Sequence, residues 1–155
     1  MKTNANDETR TLILVDVENL SGGTDFTASE VTDLRHRVEA AAGCTATTQA
    51  VIATSCGAAL VEAGLGWAGA RCIWMRGHDG ADLALADVAL NEDIIGRYDR
   101  VVIGSGDGLF AVVSRYLVHM GIHVTVVAAA GSLSRQLARV AHEVRVIDDT
   151  LGRAA

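Results

Sequence analysis

Short apolar runs rich in β-branched residues alternate along this chain with stretches of helical periodicity. That alternation is the signature of a βαβ array around a largely parallel sheet. The spacing predicts strands over 11–17, 45–54, 70–75, 100–104 and 122–128, with an edge strand over 144–147. Between them it predicts helices. Thr27-Ala-Ser-Glu30 is a capping box that opens a helix whose apolar face carries Val31, Leu34 and Val38, and Gly43 closes it. A short helix is expected over 56–63, a longer one over 81–95 stopped by Gly96, another over 109–120, and a last one capped at Ser132. The expected fold class is α/β, a three-layer α/β/α sandwich with a mostly parallel central sheet. No repeat or linker divides the chain, so one domain is expected over 11–148, with a polar lead over 1–10 and a tail over 149–155.

Three aspartates fall where strands run out. Asp16 ends Thr11-Leu-Ile-Leu-Val-Asp16, Asp82 opens the helix after the third strand, and Asp107 follows Val101-Val-Ile-Gly-Ser-Gly-Asp107. In an open parallel sheet, ligands bind in the crevice beyond the carboxyl ends of the strands. Carboxylates delivered there repel one another unless a divalent cation sits between them, most simply Mg2+ or Mn2+. Alternation puts Leu12, Leu14 and Asp16 on one side of the first strand, so the acid ends an apolar row. Each position also has a plainer reading. Asp16 suits a turn or cap, Asp82 gains from a helix dipole, and Asp107 suits an ordinary βα loop.

Asn19 is placed to hold Asp16 or a water, and the Ser105 hydroxyl to sit beside Asp107. Glu18 reads as a solvated side chain. Leu83, Asp87, Leu90 and Ile94 follow helical spacing, which predicts a buried, hydrogen-bonded Asp87 on an apolar seam. Trp67 and Trp74 are expected to pack. His119 and His123 have no ligand spacing with the carboxylates.

Composition removes rivals. The formal charge of −6 argues against an indiscriminate binder of long duplexes, though a metal-filled carboxylate cluster contributes much of it. The only lysine is Lys2, so a P-loop and the phosphatase-like or receiver-like phosphotransfer designs lack their phosphate-holding lysine. No apolar run reaches the roughly 18 residues of a membrane span. The leading residues lack the layout of a secretory signal, and three cysteines without CxxC spacing indicate neither a disulfide framework nor a zinc ribbon. A cytoplasmic setting is expected.

Asp16-Val-Glu-Asn19, Gly80-Ala-Asp82-Leu-Ala-Leu-Ala-Asp87 and Ser105-Gly-Asp107-Gly-Leu-Phe110, in that order and spacing, resemble an NYN domain of the PIN-like nuclease superfamily. The resemblance runs over nearly the whole chain. It implies a PIN-like, Rossmann-like topology and a metal-dependent ribonuclease, with Asp16, Asp82 and Asp107 matching the metal-binding acids and Asn19 and Ser105 as polar neighbours. Two positions depart from the family pattern: Asp79 stands where a lysine is frequent, and Leu109 where a further acid is common. The expected partner is RNA, single-stranded, guided by Arg76, His78, Arg115 and Arg135; no membrane is expected, and a homo-oligomer is compatible. The alternative is a catalytically weakened NYN domain that binds RNA or a protein.

Overall fold

The computed structural model describes residues 8–45 and 48–148. The expected tail over 149–155, most of the expected lead, and residues 46 and 47 of the expected second strand lie outside the described residues. The elements run β1 (Thr11–Asp16), α1 (Val17–Ser21), α2 (Ala28–Ala42), β2 (Gln49–Thr54), α3 (Gly57–Gly66) and β3 (Arg71–Trp74). They continue with α4 (Gly80–Asn91), β4 (Arg100–Gly104), α5 (Phe110–His119), β5 (His123–Ala129), α6 (Arg135–Val140) and β6 (Glu143–Ile147).

The six strands form one parallel sheet in the order β3-β2-β1-β4-β5-β6. The chain starts at the centre, winds out to β3, then returns to β4 and winds out the other way. Winding direction therefore reverses between β1 and β4, which opens a crevice at their carboxyl ends.

Helices cover both faces, making an α/β/α sandwich. Strand alternation divides the core accordingly. Leu12, Leu14, Val101 and Ile103 pack under Leu85 of α4, Phe110 and Leu117 of α5 and Leu137 of α6. Ile13, Val15, Ile52 and Val102 pack under Val31, Leu34 and Val38 of α2 and Ala59 and Ala63 of α3. Every residue of β1 is buried, as expected for a strand sandwiched between helices. Each fully buried aliphatic side chain stabilises the fold by about 1.5–3 kcal/mol.

The α2 capping box forms as expected: Glu30 N–H donates to Thr27 Oγ1 (3.2 Å) and Thr27 N–H to Glu30 Oε2 (2.7 Å). Other expectations need correction. Residue 17 is not strand: Asp16 ends β1 and caps the five-residue α1, too short to show periodicity. The helix expected to reach 95 stops at Asn91. Ser132 forms a turn through Ala129 O, and Ser134 occupies the cap position of α6. Trp67 is buried, but Trp74, at the end of edge strand β3, is 46% exposed.

Asp87 is the clearest misreading. It is exposed and accepts a hydrogen bond from Asn91 Nδ2 (2.6 Å). The face of α4 that meets the sheet instead carries Ala81, Asp82, Ala84, Leu85, Val88 and Ala89. Alanines pack a helix close to a sheet, so the larger Leu83 and Leu90 are left on the outer side. Among the described residues, no helix is long and apolar enough to cross a membrane.

Candidate functional site

β1 delivers Asp16 to the crevice on the same face of the sheet as Leu12 and Leu14, and α4 lies on that face. Asn19 N–H donates to Asp16 Oδ1 (3.0 Å), so this carboxylate also starts α1. Asp82 enters from the first turn of α4, on its sheet-facing side. Its approach depends on Gly80: a Cβ there would sit 1.7 Å from Met75 O, so only glycine lets the helix start against the exit of β3.

Asp16 and Asp82 are 5% and 6% exposed, and their carboxyls lie close enough to act on each other's ionisation. Two buried carboxylates in contact cannot both ionise unaided. Burial first, then the hydrogen bond with Asp16 and the charges of Asp16, Asp107 and Asp79, push the Asp82 pKa up to about 8. Burial also raises Asp16; hydrogen bonds from Asp82 and Asn19 N–H oppose this, while the Glu18 and Asp107 charges add to it. Burial and mutual charge thus favour the protonated form at both carboxyls, most strongly at Asp82. Asp82 Oδ1 is buried with no hydrogen-bond partner among the described residues.

Asp107 arrives on the loop after β4. The fully buried Ser105 Oγ accepts from Asp107 N–H (3.2 Å), and Asp107 Oδ1 accepts from Leu109 N–H (2.8 Å). Gly106 N–H donates to Asn19 Oδ1 (3.0 Å). Asn19 thus ties the Asp16 turn to the Asp107 loop, its peptide N–H donating to the first and its side-chain Oδ1 accepting from the second. On the far side Ser134 N–H donates to Gly106 O (2.8 Å). A Cβ on Gly106 would lie 2.3 Å from Ser132 O, so glycine is needed for this contact.

The expected meeting of three acids therefore takes the form of a tight pair, with Asp107 half-buried and near enough for its charge to act on both. Among the described residues, no three or more His, Cys, Asp or Glu side chains form a ready-made metal cage. The donor chemistry still fits a hard divalent cation. Magnesium commonly takes one or two carboxylates and keeps several waters. Here two carboxyls are buried side by side, and one of their oxygens has no hydrogen-bond partner among the described residues.

Glu18, expected to be solvated, is half-buried and accepts from Ser55 N–H (2.6 Å) and Ser55 Oγ–H (2.9 Å). It holds the loop after β2 against α1. Sequence spacing gave no signal for this, because the partners are 37 residues apart.

Other expected residues lie farther out. His78 and Asp79 pair on the surface at 3.0 Å, and the Asp79 hydrogen bond and charge raise the His78 pKa. Arg76 is exposed in the loop between β3 and α4, and Arg135 opens α6 beside Ser134. Arg115 is exposed on α5 and Asp87 on α4; no described contact links either to the acids.

No protein-family model matches the chain, and no curated protein matches it. Among solved structures the chain is similar to the crystal structure of a protein of unknown function from Vibrio parahaemolyticus. The TM-score is 0.61 at 21% identity, over 93% of this chain and 96% of that one. At this identity the likeness shows the fold alone.

Proposed function

We propose that this chain is a divalent-metal-dependent ribonuclease whose centre is the Asp16–Asp82 pair, using Mg2+ or Mn2+. The observation that carries the reading is a pair of buried acids, one oxygen without a partner among the described residues, at the point where the sheet reverses its winding. A buried pair of this kind is a liability to folding unless it serves a ligand. A cation held there supplies a Lewis acid for a phosphate oxygen and acidity for a water.

The chain's own residues divide the remaining work. Asn19 N–H holds Asp16 at Oδ1, which leaves the second oxygen of that carboxyl for a cation. Asp107, anchored at Oδ1 by Leu109 N–H, keeps Oδ2 to accept a proton from an attacking water. Arg76, in the loop after β3, and Arg135, at the start of α6, are suited to receive the flanking phosphates of a single strand.

The test incubates labelled single-stranded RNA with manganese and compares the wild type with Asp16→Asn and Asp107→Asn. Loss of cleavage in both variants is expected. Equal cleavage by all three proteins eliminates the reading.

A second reading is favoured by Leu109, which puts a leucine where an acid would enlarge the ligand set, and by the lack of a three-ligand cage among the described residues. On it the domain binds RNA or a protein without turning it over. Calorimetric titration with manganese separates the two, because a site that takes up no divalent ion cannot run the proposed chemistry.

A further inference from the structure

The Leu83–Asp87–Leu90 row is an apolar seam by spacing, yet the chain itself does not cover it. Leu83 and Leu90 are 48% and 41% exposed on the outer side of α4. The neighbouring helix continues the same surface: on α5, Val112 is 65% and Tyr116 36% exposed. α4 and α5 pack side by side over one face of the sheet. All strands are parallel, so both helices run back from the same edge and parallel to each other. Exposed apolar side chains gathered on two neighbouring helices suit an interaction site.

Two charges on the patch say what covers it. Asp87 projects from the α4 ridge, held among the described residues by Asn91. Arg115 projects from the α5 ridge and makes no hydrogen bond or ion pair with any described residue. Asp87 lies seven residues beyond Gly80 and Arg115 five beyond Phe110. At 1.5 Å per residue these are about 10 and about 8 Å along helices that start at the same edge. The patch is therefore complementary to itself: acid on one helix, base on the other, at matching heights, with leucines, valine and tyrosine around them.

We propose that the α4–α5 face is the interface of a symmetric homodimer, with α4 of each copy lying along α5 of the other and Asp87 pairing with Arg115 across it. The two-fold axis that achieves this runs parallel to the helices. It leaves the Asp16–Asp82 pairs of both copies at the same end of the dimer. The inference does not depend on nuclease activity.

Sedimentation of the full chain over a concentration series from nanomolar to high micromolar tests it. The wild type is expected to shift from monomer to dimer within that range. Leu90→Arg, a surface change whose thermal melt checks the fold, is expected to remain monomeric throughout. D87R and R115D each bring like charges together and are expected to raise the dissociation constant about tenfold or more, while D87R/R115D recovers most of that loss. A wild type that stays monomeric at every concentration overturns the proposal. So does a dimer indifferent to Leu90→Arg, or single charge reversals that the double variant does not rescue.

Discussion

Helices α2 and α4 sit on opposite faces of the same sheet and obey opposite rules. In α2 every local signal agrees: a complete capping box at Thr27 and Glu30, a buried stripe of Val31, Leu34 and Val38, and Gly43 at φ 65° to end it. α4 has no side-chain cap hydrogen bond, a carboxylate in the buried part of its first turn, and leucines on its outer side. Sequences that fold well are consistent across levels, and departures collect at functional sites. The contrast teaches that α2 serves the fold, while α4 carries conflicts that folding alone leaves unexplained. One conflict faces the crevice and the other faces outward.

The sharpest way to break this comparison is Asp82→Asn. Its amide can still donate to Asp16, so the protein stays folded, but manganese-stimulated RNA cleavage is expected to fall about 10²–10³-fold, the scale of losing a principal charge-stabilising group. Single-turnover assays measure it; a near-wild-type rate would make α4 an ordinary helix. Next in size is Asn19→Ala, which cuts the link between the Asp16 turn and the Asp107 loop. Manganese affinity by calorimetry is expected to drop about 10–100-fold, as for groups that orient metal ligands.

A pH experiment sharpens the contrast without RNA. The Asp82 pKa is raised from 3.8 to about 8 in the folded protein, so the folded state holds this proton more tightly than the unfolded state. The stability it contributes is fully present below the lower value and is lost as pH rises through the higher one. Thermal melts in chelator should therefore decline across that window, and Asp82→Asn should flatten the decline. A wild-type profile as flat as that of the variant would remove the buried pair from the account. The smallest effect belongs to α2: Thr27→Ala is expected to cost about 1 kcal/mol in urea unfolding and to leave cleavage unchanged.

Much of this was legible because it is local. The run Thr11 to Asp16 shows by alternation which face its acid takes, and the observed core agrees, with Leu12 and Leu14 on the α4 side. Thr27 and Glu30 announce α2 through bonds made within one turn. The α4 face departs from the sequence expectation for a physical reason: with alanines and leucines on all sides, its periodicity does not single out one stripe, and the sheet takes the side with Ala81, Ala84, Leu85, Val88 and Ala89. Glu18 escaped notice because its partner Ser55 comes from another loop.

The amino-acid order alone determined a parallel α/β sandwich and acids at the strand ends, since both follow from alternation and capping over a few residues. Tertiary structure alone decided that Asp16 meets Asp82, that Asn19 joins two loops, and that Leu83 and Leu90 face out. Those outcomes depend on strand order and on how closely a helix can approach the sheet. Both involve groups far apart in the chain, where no short-range periodicity reaches.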